Sequence, residues 1–296
     1  MELVQLCKDD NCLVSGFAES RIGGRAENQD NFGECNTPFG HLVTVCDGMG
    51  GGPGGRTASS IAVAEIINSV NNALAEDSLS NIVVKAVLRA NIAIIEKTKE
   101  VPALEGMGST ATVLLVNPHE AVIAHVGDSR VYQLRGKKKV FRTFDHSLVF
   151  AQVASGNITE EQARLSAESN VITRALGINP DLNVEVHSVP YIKGDRFMLT
   201  TDGIHGAMPE KELIQLATKR QPIGVVVDNI AITVDSLGRS NGGGHDNLTI
   251  ALLVTNKTSK KQVKMSLYNK IILVILSLLL LLSLGLNVFF LMSNNS

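Results

Sequence analysis

From Ile271 to Met292 the chain runs IILVILSLLLLLSLGLNVFFLM, 22 residues without a charge. As an α-helix rising about 1.5 Å per residue this segment is about 33 Å long, close to the roughly 30 Å of a bilayer's hydrocarbon core. A helix apolar on every face has no side to give to water, so a soluble core accommodates it badly. The segment predicts a single membrane span over 271–292, leaving 293–296 as a short, uncharged extracytoplasmic tail. On the other flank, residues 256–270 carry Lys257, Lys260, Lys261, Lys264 and Lys270 and predict a basic juxtamembrane linker. Positive flanks stay on the cytoplasmic side. The expectation is therefore a cell-membrane protein whose residues 1–255 form a cytoplasmic domain.

That domain has the material for a core. Hydrophobic residues make up 44% of the chain and charged ones 19%, which excludes disorder. A net charge of −2 gives no global basic field, so nucleic acid is not expected as a partner. The N-terminal MELVQLCKDD lacks the basic-then-apolar order of a secretory signal. Cys7, Cys12, Cys35 and Cys46 form no C-x-x-C pair and are expected to be free thiols in a reducing compartment.

Strand-like runs fall at 12–20, 39–46, 109–116, 121–126, 130–135, 138–142, 184–189, 196–201 and 247–254. Helical spacing of Ile, Val, Leu and Ala marks 56–76, 79–98, 209–219 and 222–236, and 145–176 reads as polar and helical. Strands and helices cluster without βαβ alternation, which predicts an α+β layered domain.

Aspartates stand where strands stop. Asp47 ends LVTVCD, Asp128 ends AVIAHVGD and Asp202 ends RFMLTTD, whereas Asp246 opens HDNLTIALLV. If the last strand runs antiparallel to those ending at Asp47 and Asp202, the three carboxylates meet at one rim, within reach of Asp30 in the preceding loop. Clustered carboxylates need a compensating charge, and hard divalent cations such as Mg²⁺ or Mn²⁺ supply it. A rival reading comes from Gly50-x-Gly52-x-x-Gly55, which follows a strand and precedes a helix as in a dinucleotide fingerprint. That reading needs a parallel strand after the helix, and Pro53 removes a backbone N–H where a phosphate wants one.

Eight motifs in register, RAENQD (25–30), VCDGMGG (45–51), GSTAT (108–112), VGDSR (126–130), DHSLV (145–149), NVITRALG (170–177), LTTDG (199–203) and HDNLT (245–249), resemble bacterial phosphatase 2C-type enzymes. The resemblance implies a four-layer α-β-β-α sandwich and hydrolysis of phosphoserine and phosphothreonine in proteins. It implies two Mn²⁺ or Mg²⁺ ions: Asp47 bridging both, the Gly48 carbonyl on one, Asp202 and Asp246 completing the other. By the same resemblance Asp30 orders metal-bound water, Arg25 contacts the substrate phosphate, Asp128 matches a residue linked to a weaker third ion, and 145–176 is a flap beside the site. Two such ions turn water into the nucleophile near neutral pH.

The implied partners are phosphorylated Ser/Thr proteins, a cognate Ser/Thr kinase with its targets, and the membrane. Three positions depart from common family patterns. Gln29 stands where many members have Glu, and Met49 where eukaryotic members carry a His. Gly206 stands where some members have a further Asp, which weakens the case for a third ion. A catalytically dead relative or a docking scaffold is the competing function class, and neither accounts for a complete set of strand-end aspartates. His41, His119, His125, His187, His205 and His245 read as structural, and His146 as flap-adjacent.

Overall fold

A computed structural model describes residues 3–7 and 12–293, with side chains as far as Leu279. The described strands are β1 (Val4–Leu6), β2 (Val14–Arg21), β3 (Asp30–Thr37), β4 (Gly40–Met49), β5 (Gly108–Ser109), β6 (Ala111–Val116), β7 (Ala121–Val126) and β8 (Arg130–Arg135). β9 (Lys138–Arg142), β10 (Glu185–Val189), β11 (Arg196–Thr200) and β12 (Leu248–Thr255) complete the set. One sheet has the order β1-β2-β12-β11-β8-β9; the other runs β10-β7-β6-β4-β3, with β5 added at the end of β4.

Helices α1 (Gly54–Asn71) and α2 (Leu79–Glu100) follow β4. Next come α3 (Leu148–Ala154) and α4 (Glu160–Arg164), then α5 (Asp202–His205), α6 (Glu210–Ala217), α7 (Ile223–Ser240) and α8 (Lys260–Ser293).

Three apolar layers hold the sandwich together. Ile66, Val87 and Ile94 of α1 and α2 pack on Leu42, Val113 and Val122 of the second sheet. Val45, Leu114 and Ile123 of that sheet meet Val131, Phe197 and Leu253 of the first. Met198, Ile250 and Leu252 then meet Leu213, Val227 and Ile230 of α6 and α7. This is the expected α-β-β-α order. Central strands covered on both faces read as unbroken apolar runs, which is why ATVLLV and AVIAHV were legible. Helix α2 begins where Ser78 accepts a hydrogen bond from the Asn81 N–H at 3.3 Å.

Several expectations need correction. Residues 30–37 were read as a loop, but DNFGECNT forms β3, an edge strand whose half-covered position tolerates polar residues. Cys7 and Cys12 are not free thiols. They form a disulfide where the chain turns from β1 to β2, and Cys35 and Cys46 remain free. The 256–270 segment, expected as a basic juxtamembrane linker, begins docked on the domain and is helical from Lys260. Ser259 is buried, with its N–H on the Tyr191 carbonyl at 2.9 Å, and α8 starts one residue later. Lys261 donates to Glu120 Oε2 at 2.7 Å, so the folded domain reaches past position 255. Helix α8 is long and apolar enough over Lys260–Leu279 to cross a membrane, with mean hydropathy 1.4 and none of that stretch buried. Side chains of 280–292 in the expected span, and tail residues 294–296, lie outside the described set.

Candidate active site

Asp47 and Asp202 do not share a rim of one sheet, as the strand ends alone had implied. β4 lies in one sheet and β11 and β12 in the other, and their aspartate-bearing ends meet at one end of the sandwich. Asp30 is not in a loop either. It opens β3 directly across from Asp47 in the β3–β4 register.

Threonine, serine and asparagine side chains fix the strand ends that carry these aspartates. The Asp47 N–H donates to Thr110 Oγ1 at 2.9 Å, while its carbonyl accepts from the Thr110 N–H at 2.8 Å and from Ser109 Oγ at 3.0 Å. Thr201 Oγ1 donates to Asp30 Oδ2 at 2.9 Å and accepts from the Thr249 N–H at 3.1 Å, joining Asp30 to the opposite sheet. Asn247 binds three backbone groups, accepting from Gln29 N–H (2.9 Å) and donating to Ile22 and Glu27 carbonyls (2.8 and 3.0 Å). It thereby pins the 22–29 loop that carries Arg25. Gly48 follows Asp47 because no side chain fits: a Cβ there would lie 2.0 Å from the Gly55 carbonyl oxygen. Gln29 Nε2 donates to the Gly52 carbonyl at 3.0 Å, so this residue holds the glycine loop.

The electrostatics of the group are unusual. Burial, opposed by hydrogen bonds from Thr249 and Thr201, pushes Asp30 up to about 7, with Asp202 and Asp246 adding repulsion. Burial and the neighbouring Asp246 push Asp202 up to about 6. Asp47 is raised well above the ordinary range by burial and by repulsion from Asp30, Asp202, Asp128 and Asp246. Asp128 is raised by burial and by Asp202 and Asp145. Among the described residues, Asp30 Oδ1 and Asp202 Oδ1 are buried without any hydrogen-bond partner. Five aspartates from five separate sequence positions thus converge, and unmatched oxygens point among them.

Arg25 sits at the outer rim, half-exposed, with its guanidinium 2.8 Å from Asp246 Oδ2. A cleft of about 720 Å³ opens beside it, lined by Arg25, Asp128, Arg164, Asp202 and Asp246. The 145–176 segment closes one wall through α3 and α4, which pack Val149, Phe150 and Ala163 on one another.

Residues 19–223 match the family model described as protein phosphatase 2C. The chain belongs to the protein phosphatase 2C family. The serine/threonine phosphatase stp of Listeria monocytogenes is 30% identical over 241 residues, covering 80% of this chain and 90% of the relative. The crystal structure of Mycobacterium tuberculosis PstP superposes with a TM-score of 0.70 at 27% identity, covering 82% of this chain and 99% of that one. The PstP catalytic domain in complex with two manganese ions gives 0.68 at 28% identity, over 82% and 99%. The phosphatase 2C assignment makes this chain a protein serine/threonine phosphatase. The dinucleotide reading of the glycine loop fails, because every described strand pairing in this phosphatase is antiparallel and α2 follows α1 directly.

Some residues of the phosphatase site escaped the sequence reading. Arg130 and Asp145 form a buried two-bond fork, Nε–Oδ1 and Nη2–Oδ2 both 2.7 Å, which ties the VGDSR motif to DHSLV. His146 accepts from the Gly127 N–H through Nδ1 at 3.2 Å, and its Nε2 lies 3.2 Å from Glu185 Oε2 and 3.3 Å from Arg174 Nη1. That bond steadies Gly127, whose φ of +99° a side chain would oppose, next to Asp128. The motif letters were visible, but nothing in their spacing revealed these pairings. His205 is buried on Thr200 Oγ1 at 3.0 Å and His245 lies on Asp235 Oδ1 at 2.9 Å.

Proposed function

We propose that this phosphatase hydrolyses phosphoserine and phosphothreonine in proteins at the cytoplasmic face of a membrane, using two Mn²⁺ or Mg²⁺ ions. The observation that carries the reading is the convergence of Asp30, Asp47, Asp128, Asp202 and Asp246, with two buried oxygens unpartnered among the described residues. Such a donor set fits hard divalent cations, because oxygen ligands and uncompensated negative charge are what those ions require. Asp47, the Gly48 carbonyl, Asp202 and Asp246 would hold the two ions, with Asp128 available to a weaker third. When bound, the ions supply charge neutralisation at the phosphoryl group and a nucleophile drawn from water.

The chain's own residues do the rest. Arg25, half-exposed at the rim of the cleft, binds the phosphoryl oxygens as substrate enters. Asp30 Oδ2 is held by Thr201, which leaves Oδ1 to accept a hydrogen bond from the attacking water and orient it. Burial of the aspartate end keeps bulk water from screening these contacts. Met49, half-buried at the end of β4, has no proton to give, so the leaving oxygen takes its proton from water or from another group.

The apolar helix α8 and the lysines at its start support anchoring, with the catalytic domain on the cytoplasmic side. Phosphorylated membrane proteins, including a Ser/Thr kinase and its targets, are then the substrates met at highest local concentration. The test is turnover of a phosphothreonine peptide by the full chain. Activity with Mn²⁺ and none in chelator is expected; undiminished turnover in chelator overturns the two-ion reading, and none under any metal supports a dead relative.

A further inference from the structure

The two ends of the sandwich differ in charge as well as in chemistry. β12 begins two residues after Asp246 at the aspartate end, and its eight residues to Thr255 span about 25 Å at roughly 3.3 Å per residue. At that far end Thr255 exchanges bonds with Asp195 and Gly194, and Lys193 N–H donates to Thr258 Oγ1 at 3.0 Å. The β8–β9 hairpin turns at the same end, with Arg135 opposite Lys138 and Leu134 opposite Arg196. The close of α6 is there too, since Arg196 Nη2 donates to the Lys219 carbonyl at 3.0 Å.

One face therefore gathers exposed Lys137, Lys138, Lys193, Lys219, Arg220 and Lys257. Among the described residues none of these six has an acidic partner. Among the described residues the acids at this end are mostly committed: Asp195 is buried on Arg135 and Gln133, Glu120 is held by Lys261, and Asp77 by Lys85. Glu76, at the α1–α2 corner, is the exception.

Helix α8 leaves from this same face. Its first turn is stapled down: the Lys260 and Lys261 N–H groups donate to the Pro118 and His119 carbonyls at 2.9 and 3.0 Å. From Val263 to Leu279 every residue is exposed, so the helix projects away from the domain and does not fold back along it. From Lys260 to Ile271 the helix rises about 16 Å. The polar layer of a bilayer takes up about 5–8 Å of that. What remains is within about one Debye length, so the lysine face feels the charge of the headgroups.

We infer that this face is a membrane-seating surface for anionic phospholipid headgroups, and that it holds the active site on the far side of the domain, about 25 Å above the seat. The inference rests on the reading of α8 as a membrane span. A site facing away from the bilayer selects phosphorylated segments that stand off the membrane on cytoplasmic domains. It disfavours phospho-residues within a few positions of a membrane anchor, since four extended residues reach at most about 14 Å.

The experiment uses the full chain in vesicles of phosphatidylcholine alone or with phosphatidylglycerol. Acylation of Lys137, Lys138 and Lys193 is followed by mass spectrometry. Turnover is measured for a soluble phosphothreonine peptide and for the same peptide lipid-anchored through four-residue or thirty-residue spacers. Acylation severalfold slower on phosphatidylglycerol is expected, as is turnover at least tenfold slower through the short spacer than the long one, with the soluble peptide turned over on both vesicles. Equal acylation on the two lipids, or equal turnover through both spacers, overturns the seating while leaving the anchor intact. A chain that does not float with the vesicles overturns the anchor, and the seating with it.

Discussion

Asp195, buried, and Asp47, partly buried, are aspartates near strand ends of the same sandwich, and they sit in opposite circumstances. Asp195 is fully enclosed and fully satisfied: Gln133 Nε2, Arg135 Nε and Nη2, and the Ile192 N–H donate to it at 2.7–3.1 Å. Asp47 faces other carboxylates, and its neighbours Asp30 and Asp202 each keep a buried oxygen with no partner. Folding alone explains the first arrangement. The second is a standing cost to the metal-free fold, and a protein retains such a cost where function needs it. Burial does not separate structural from catalytic aspartates here; the supply of compensating charge does.

Exchanging each acid for its amide breaks the comparison most sharply. Asp47→Asn is expected to lower phosphopeptide turnover by about a thousandfold or more while leaving metal-free thermal stability equal or higher, because a repelling charge is removed. Asp195→Asn is expected to do the reverse, costing about 3 kcal/mol as Arg135 loses its partner, with turnover preserved at low temperature. Paired denaturation curves and initial rates read both effects.

pH sharpens the same contrast. Asp30 at about 7 and Asp202 at about 6 lie above the ordinary carboxylate value of 3.8, so between about pH 4 and 7 these two groups bind more protons in the native state than in the unfolded one. The stability these two carboxyls contribute to the metal-free protein is then lost as pH rises through that window, against the opposite slope of His41 and His125, which burial holds down at about 4. Melting temperatures in chelator at pH 5 and pH 7.5 read the carboxyl contribution by difference: raising the pH should stabilise Asp30→Asn more, or destabilise it less, than the wild type. A smaller effect belongs to Asn247. Asn247→Ala removes three bonds to the 22–29 loop, costing about 1–3 kcal/mol, and should raise KM more than it lowers kcat because Arg25 loses its position.

The contrast also marks what the sequence could disclose. Strands covered on both faces and helices with 3.6-residue spacing were legible because one physical demand, burial, writes them directly. The strand-end aspartates were legible as a group. Their assembly across two sheets was not, because Asp47 and Asp202 are adjacent only through the stacking of β4 on β11. Asp30 was misread because the polar residues of β3 reflect an edge position that alternation does not reveal. The Arg130–Asp145 fork and the Thr201 link between Asp30 and Thr249 depend on pairings between distant segments, which no local spacing records. The juxtamembrane segment misled for a different reason: lysines signalled solvent, yet Ser259 and Lys261 use backbone and side-chain bonds to dock the start of α8 on the domain.

The claim that the aspartate cluster is an ion site is tested most directly by calorimetric titration of metal-stripped protein with Mn²⁺ in buffers of different ionisation enthalpy at pH 6.5. Raised carboxylates must give up protons to bind a cation, so the account predicts saturable binding of two ions per chain with measurable proton release, lost in Asp47→Asn. Saturable binding that survives unchanged in Asp47→Asn, or no binding by the wild-type chain, would contradict it.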